Sequence, residues 1–268
     1  MTALSHQRAS RHVLNRLVEE APGGPATLTD DHRRSLSARF RAVASEQHRR
    51  LDAWTVERAG AASNSFRWSP ATARRTIGNA ALRRQLVQPT LSTLAAVDAE
   101  VSDQLLRALD GRARRGSLAT FLAQCAAATR GLIDAEAAAW ATELGEAGDG
   151  LAYPWSVSAS DAFYDVATAR TTLRGRRDLV VLRGEERVIV RVRAGAPGKS
   201  AGPGLRVDLT IDALANPVGV AAARMIGLWP EAGVVLSVDG SIDDLRAGAR
   251  DLVRTAVVLR RHPLERAA

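Results

Sequence analysis

Residues 174–195 have the sequence RGRRDLVVLRGEERVIVRVRAG. Two β-branched runs, residues 179–182 and 188–192, flank a polar segment that contains one glycine. Short apolar runs joined by such a segment are typical of an antiparallel hairpin. In the second run three valines alternate with an isoleucine and with Arg191 and Arg193. We therefore expect one face of this strand to enter a core, while the other face ends in two guanidinium groups.

The composition is that of a packed, basic protein. The chain has 268 residues, of which 46% are hydrophobic, and this is enough for one large domain or two modest ones. A net charge of +8 favours polyanionic partners such as DNA, and it also suits an acidic protein partner. Lys199 is the only lysine, so a composition biased toward arginine explains part of this charge.

Cysteine content and the N-terminus indicate a cytoplasmic protein. Cys125 is the only cysteine, which excludes an intrachain disulfide framework and a cysteine-based zinc site. The first seventeen residues are interrupted by polar and basic side chains, so they do not resemble a signal peptide. No apolar run approaches the ~18 residues of a membrane span, and we expect no membrane association.

The first half of the chain has helical periodicity. Thr29 is a candidate helix cap, followed by one apolar stripe formed by Leu36, Phe40, Val43, Leu51 and Trp54. Ser69 and Pro70 predict the start of a second helix, which runs toward Pro89. Further helices are predicted over Leu91 to Leu109, and over Ser117 to Leu144 as two helices that meet near Gly131.

The second half alternates between strand and helix patterns. Strands are predicted at 169–173, in the hairpin, at 223–229 and at 233–238, and helices at 207–215 and 241–261. Residues 194–204, AGAPGKSAGPG, are expected to form a flexible loop. We predict an α+β fold with a helical region at 1–150 and, at 151–268, a mixed β-sheet flanked by helices.

Two short motifs in this loop are incomplete. Gly198-Lys199-Ser200 suits a phosphate-binding loop, but Arg193 stands at the first glycine of that pattern and we expect Gly202-Pro203-Gly204 to prevent the following helix. The same residues spell G-x-S-x-G without the downstream histidine of a hydrolase. A flexible turn is the favoured interpretation. The dispersed histidines, His6, His12, His32 and His48, are interpreted as solvated rather than metal-bound.

Residues 58–97 contain six arginines and no acidic residue, with Phe66 and Trp68 interleaved. This combination suits contacts with the phosphates of a nucleic acid and stacking on its bases. The arginines of the predicted helix, however, spread around its axis. The alternative, that they are solvated or paired with acids elsewhere in the fold, therefore stays open.

The order GRRDLVVL, loop, RVIVRVRAG, glycine-rich loop, RVDLTIDALA, RMIGLWPEAG resembles the core of the PD-(D/E)XK nuclease superfamily, in particular its RecB-like exonuclease branch. The resemblance covers residues 169–239, under a third of the chain. It implies a restriction-endonuclease-like core in which an aspartate opens one hairpin strand, a D/E-x-K triplet closes the next, and a helix follows.

Carried over to this sequence, the resemblance implies that Asp178 is the metal-binding aspartate and that Arg191-Val192-Arg193 replaces the triplet. Such nucleases hold Mg²⁺ with two acids. Arg191 repels a cation, and a permanently protonated Arg193 is a poor substitute for the lysine. Asp208 and Asp212 are candidates for replacement carboxylates on the following helix. The resemblance thus implies a catalytically degenerate centre with a vestigial metal ligand at Asp178.

We therefore expect a nuclease-like protein without catalytic residues or cofactor, which binds nucleic acid or another polyanion, or acts as an interaction scaffold. The predicted binding residues are Arg67, Arg74, Arg75, Arg176, Arg191 and Arg193. Two alternatives stay open. One is an active Mg-dependent DNA nuclease that uses Asp178, acids that have migrated and Lys199; the other is a regulatory or structural protein that binds an acidic protein partner. The sequence leaves the oligomeric state open.

Overall fold

The fold is taken from a computed structural model. It describes residues 7–8, 11–43, 49–58, 68–88, 90–113, 115–145, 155–157, 162–166, 170–193, 195–229 and 232–261. The helices are α1 Arg11–Glu19, α2 Asp30–Ala42, α3 Ala53–Arg58, α4 Pro70–Val87, α5 Thr93–Leu109, α6 Leu118–Gln124, α7 Ala127–Gly145, α8 Ala201–Ala215 and α9 Ile242–Arg261. The strands are β1 Gln7–Arg8, β2 Arg49–Leu51, β3 Trp155–Val157, β4 Ala162–Val166, β5 Thr171–Gly175, β6 Leu179–Arg183, β7 Glu186–Val192, β8 Arg224–Trp229 and β9 Val234–Asp239. The predicted α+β class is confirmed.

The hairpin lies inside a mixed sheet of order β1-β9-β8-β7-β6-β3. β6 and β7 are antiparallel, and Gly184 in their turn has φ +61°, a conformation that glycine adopts without a steric penalty. β7 and β8 are parallel, with α8 in the connection between them, and β9 returns antiparallel to β8. The predicted hairpin and the strands predicted at 223–229 and 233–238 are confirmed.

Both faces of β7 are buried, including the face that ends in Arg191 and Arg193. Val188 and Val190 pack in a cluster with Leu14 of α1, while Ile189 packs in another cluster with Leu205 of α8. Helices therefore cover the sheet on both sides, and Arg191 and Arg193 lie beneath them rather than in open solvent. The second cluster also contains Phe40, so residues from both sides of the predicted boundary near residue 150 share it. The division into two regions stays a prediction.

A second sheet, of order β2-β5-β4, was missing from the sequence prediction. The prediction of one helix that continues to Trp54 is wrong. α2 ends at Ala42, and the residues of β2 pair in parallel with β5 instead. Leu51 is fully buried in β2, whereas the side chain of Trp54 in α3 is 55% exposed. The residues of the apolar stripe therefore belong to three elements, α2, β2 and α3, and backbone pairing of β2 with a distant strand overrode the helical spacing.

Helices α4 to α7 share a cluster centred on Ile77, Val97, Leu122 and Ile133. The predicted cap at Ser69 is confirmed, since its hydroxyl accepts a hydrogen bond from the N–H of Thr72. The two predicted helices do not meet at Gly131, which lies inside α7. The break between α6 and α7 is at Cys125, whose backbone is extended.

α8 begins at Ala201, so the prediction of a flexible loop through Gly204 is wrong. Pro203 lies in the first helical turn, where backbone N–H groups have no intrahelical acceptor, and proline is tolerated there. Gly204 lies against the side chain of Glu57 in α3, where no larger residue fits without displacing that carboxylate. Within the described residues, none of the helices combines the length and apolar character that a membrane span requires.

Candidate functional site

The candidate site lies where β6 begins, β7 ends and α8 passes over them. The antiparallel register places Asp178, the residue before β6, beside the end of β7. The Asp178 backbone N–H donates to the carbonyl of Val190 at 3.2 Å, and the backbone N–H of Val192 donates to Asp178 Oδ2 at 2.9 Å. The hairpin thus fixes Asp178 next to residues 191–193, where the resemblance places the triplet.

Arg191 lies between two buried carboxylates. Its Nε is 3.4 Å from Asp178 Oδ2, and its NH1 forms an ion pair with Oδ2 of Asp208 on α8. The side chains of the two aspartates are 2% and 1% exposed, and that of Arg191 is 10% exposed. Buried charges are stable only when they are paired and hydrogen-bonded. Arg191 is therefore the central cation of a desolvated Asp-Arg-Asp triad.

Two further arginines complete the shell of Asp178. Arg83 of α4 donates from NH1 to Asp178 Oδ1 at 2.7 Å, and Nε of Arg176 donates to the same oxygen at 2.9 Å. Asp178 thereby accepts hydrogen bonds from three guanidinium groups and one backbone N–H. Arg83 also fastens the helical α4–α7 bundle to the sheet. Arg83 is one of the six arginines of residues 58–97, and its pairing with Asp178 agrees with the alternative that these arginines meet acids elsewhere in the fold.

The pKa shifts follow from burial and these contacts. Burial alone raises the pKa of Asp178, but Arg176, Arg191 and Arg83 outweigh it, so the pKa lies below its ordinary value. Burial lowers the pKa of Arg191 to about 10, partly offset by Asp178. Both groups are therefore charged near pH 7. The cluster is a set of fixed opposite charges rather than a pair that exchanges protons at this pH.

Arg193, the last residue of the Arg191-Val192-Arg193 segment, pairs with a different acid. Its NH2 forms an ion pair with Oε2 of Glu57 from α3, and its guanidinium carbon lies 5.6 Å from the ring centroid of Trp229. This distance suits a cation–π contact. The Arg193 side chain is 14% exposed. Of the predicted phosphate-binding residues, Arg191 and Arg193 are therefore largely buried and paired with carboxylates. Arg176 is half exposed, and its Nε donates to Asp178.

Asp212, the second candidate replacement acid, lies in a separate group with two arginines. Its carboxylate contacts Arg177 at 2.8 Å and Arg187 at 3.2 Å. Burial raises the pKa of Asp212 in spite of these arginines. The structure therefore brings Asp208, but not Asp212, into the group around Arg191.

The side chains present do not fit a Mg²⁺ ion at the vestigial position. Metal binding requires carboxylate oxygens free to coordinate the ion. The Asp178 oxygens are engaged by arginines, and Asp208 meets a guanidinium at the place of the missing acid. Among the residues that the structure describes, no three His, Cys, Asp or Glu side chains are arranged to hold a metal.

Most described arginines and aromatic residues of the basic segment 58–97 form contacts within the protein. Arg84 pairs with Glu100 and Asp103 of α5. The indole N–H of Trp68 donates to the carbonyl of Gly116 at 2.8 Å, and its ring stacks on Phe121 with centroids 6.4 Å apart. Arg74 and Arg75 are half-buried and have interactions within the protein. Arg67 and Phe66 lie outside the described residues.

The loop between β7 and α8 has the strand-loop-helix order of a phosphate-binding loop, with an exposed Lys199. Arg193, at the first glycine position of that motif, pairs with Glu57. The ring of His32 takes part in capping α2, where Nδ1 lies 3.1 Å from the Thr29 hydroxyl. His6 and His48, and the side chain of His12, lie outside the described residues.

A set of exposed arginines on α9 escaped the sequence analysis. Residues 246, 250, 254 and 260 are all arginine and all exposed. With 3.6 residues per turn they fall within a sector of about 120° along roughly 21 Å of helix. The buried face of the same helix carries Leu245, Leu252 and Leu259. The sequence RAGARDLVR at residues 246–254 could have predicted this set, because arginines at every fourth position lie on one face of a helix.

Comparison with known proteins gives no relative. No model of a protein family matches the chain, and neither a curated protein nor a solved structure is significantly similar to it.

Proposed function

We propose that this chain is a non-catalytic nucleic-acid-binding protein built on a PD-(D/E)XK-like core. The observation that carries this proposal is the position of Arg191 between Asp178 and Asp208. A guanidinium held by two acids at the place of the triplet supplies internally the positive charge that a metal ion supplies in an active centre. The acids are then structural, and the chain acts by binding.

The arrangement of the hairpin supports this interpretation. Asp178 at the start of β6, residues 191–193 at the end of β7, α8 and the parallel strand β8 follow each other as the resemblance implies. Fold resemblance alone does not establish function. The departure from the family pattern is therefore as informative as the match, because it replaces one acid of the metal site with a buried cation.

The arginines of α9 are the favoured contact surface for nucleic acid. Arg254 and Arg260 are exposed, and among the described residues the ion-pair partner of Arg254 is Asp251, at 3.6 Å. Surface ion pairs of this kind contribute about 0–1 kcal/mol, so a phosphate can replace the carboxylate at little cost. A single row of arginines contacts phosphates rather than base edges, and binding is then independent of sequence and sensitive to salt.

The test combines binding and cleavage on the same preparation. The wild-type chain and the double variant Arg254→Gln/Arg260→Gln are titrated into a labelled 20-base-pair duplex between 50 and 200 mM salt. We expect the double variant to bind more weakly, with the slope of log K against log salt reduced by about 2. Incubation with Mg²⁺ or Mn²⁺ is expected to give no cleavage above background.

The matched control is Arg107→Gln/Arg112→Gln, which removes two exposed arginines from the α5 region. This control is expected to bind with the wild-type slope. Equal slopes for all three proteins would remove α9 from the binding surface, and the absence of duplex binding at 50 mM salt would refute the function. Metal-dependent nicking that disappears in Asp178→Ala would establish the active nuclease instead.

A further inference from the structure

A pocket of about 290 Å³ opens between α2, α8 and α9, on the side of α8 away from Asp208. Its volume is near the lower end of the range for small-molecule sites, roughly 300–1,000 Å³. Positions 208 and 210 of α8 lie about 200° apart around the helix axis. Asp208 turns toward Arg191, while Thr210 lines the pocket. The pocket is therefore distinct from the ion-pair cluster.

The buried part of the pocket lining, its floor, is aliphatic apart from Thr210; the polar residues His32 and Ser35 also line the pocket but are half-buried and exposed, respectively. Leu28, Leu36, Leu214 and Leu245 line it and are at most 8% exposed. The hydroxyl of Thr210 is already engaged with the carbonyls of Arg206 and Leu245, at 2.8 and 3.2 Å. A floor of this kind gains from burying methylene groups and offers nothing to the polar edge of a nucleobase. The floor therefore favours a ligand with an aliphatic chain.

The rim of the pocket is basic. Arg39 of α2 and Arg246 and Arg250 of α9 line it, and no acidic side chain lies among its described lining residues. Arg246 has a surface contact with Asp243 at 3.9 Å. Neither Arg39 nor Arg250 has a side-chain ion-pair partner within the described part of the chain. Three guanidinium groups around an apolar floor are complementary to one anionic head attached to a hydrocarbon chain.

We propose that this pocket binds a small aliphatic anion, a medium-length alkyl chain with a carboxylate or phosphate head. The chain lies on the four leucines, and the head lies between Arg39 and Arg250. The proposal does not depend on nucleic-acid binding, because Arg254 and Arg260 do not line the pocket. It adds a ligand site on the surface opposite the nuclease-like hairpin cluster.

Isothermal titration of the full chain with octanoate and with octyl phosphate, each below its micelle concentration, tests the pocket. We expect saturable one-to-one binding of at least one of these anions. Octan-1-ol and inorganic phosphate are expected to bind at least about tenfold more weakly, because each lacks one half of the recognised chemistry. Equal binding of octanol or of inorganic phosphate would overturn the assignment, as would the absence of saturable binding.

Two variants locate the site. Arg39→Gln is expected to weaken binding about tenfold by removing a charged hydrogen bond. Ala249→Phe, which places a ring at a lining position beside Arg246 and Arg250 on α9, is expected to abolish binding. Both are checked for wild-type circular dichroism. Since Arg39 and Ala249 flank the pocket at partly exposed positions, neither change opens the core.

The matched control is Arg254→Gln/Arg260→Gln, which leaves the pocket lining intact and is expected to bind the anion as wild type does. An equal loss in this control would show that general positive charge, not the pocket, holds the ligand. Undiminished binding in Ala249→Phe would likewise refute the site. Binding only to vesicles of phosphatidylglycerol, with no affinity for the free anions, would overturn the proposal in favour of a lipid surface.

Discussion

Arginine has opposite roles in two regions of the protein: the hairpin cluster, formed by Asp178, Arg191 and Asp208, and the outer face of α9. At the hairpin, Arg191 is 10% exposed and is enclosed by carboxylates. On α9, the Arg254 side chain is 76% exposed and meets one carboxylate at 3.6 Å. Desolvation makes the first arginine dependent on its partners, whereas the second remains hydrated and exchanges its partner at little cost. Net charge therefore overstates the surface available to a polyanion.

The same contrast separates stability from binding. Arginines of the first kind join elements that are distant in sequence, as Arg83 joins α4 to Asp178 across 95 residues. Their loss is expected to unfold the protein before it affects any ligand. Arginines of the second kind are expected to affect binding without affecting stability.

The largest effect is expected for Arg191→Met. This change leaves Asp208 buried without its ion pair and takes one guanidinium from Asp178. Removing one partner of a buried ion pair typically costs 3–5 kcal/mol, so we expect the free energy of unfolding to fall by about that amount. Urea denaturation followed by circular dichroism measures it. Arg107→Met, at an exposed position of α5, is the control and is expected to change stability by less than about 0.5 kcal/mol.

A smaller, pH-dependent effect is expected for Asp178→Asn. At pH 7 the loss of charge-assisted hydrogen bonds is expected to cost about 2–3 kcal/mol. The folded-state pKa of Asp178 is lowered, so its contribution is fully present above about pH 4 and is lost as the pH falls through the folded pKa. The stability difference between wild type and variant should therefore narrow as the pH falls from about 4 to 2.

The exposed Asp243→Asn, whose side chain is 85% exposed, serves as the control for this pH series. It is expected to follow the wild-type curve throughout. A difference between wild type and Asp178→Asn that stays constant down to pH 2 would contradict the assignment of a charged, arginine-bound Asp178.

Gly204→Ala is expected to disturb the cluster by about 1 kcal/mol. The added methyl group would collide with the carboxylate of Glu57 and displace it from Arg193. The gain in helix propensity from replacing glycine, roughly 0.5–1 kcal/mol, offsets part of the overpacking cost of about 1–3 kcal/mol. Thermal unfolding measures the change. Gly198→Ala, at a position with no neighbouring atom within 4 Å of the new methyl group, should not lower the melting temperature.

The smallest effect on stability is expected for Arg254→Gln/Arg260→Gln. Both side chains are exposed, so the free energy of unfolding should stay within about 0.5 kcal/mol of the wild type. The same double variant is expected to show the reduced salt slope in nucleic-acid binding. A loss of several kcal/mol in stability would show that the outer face of α9 is structural, and would remove the contrast with the hairpin.

Local patterns in the sequence account for much of the fold. The alternation at 188–192 and the turn glycine predicted the hairpin, Ser69 with Pro70 predicted the start of α4, and the spacing of Leu245 and Leu252 predicted α9. In each case, including the amphipathic pattern over residues 241–261, neighbours within a few residues carry the signal, because side-chain period and end-capping are local properties. Asp178, by contrast, was singled out by the resemblance to the PD-(D/E)XK core and not by a local pattern.

Other features required the folded chain. Leu51 belongs to a strand only because β5, more than a hundred residues later, supplies its backbone partners, and Pro203 is helical because it lies in the first turn of α8. The distinction between Arg191 and Arg254 is of the same kind. Nothing in the local sequence says which arginine meets a buried aspartate, because the cost of desolvation and the partner that offsets it come from elements brought together only by the tertiary structure.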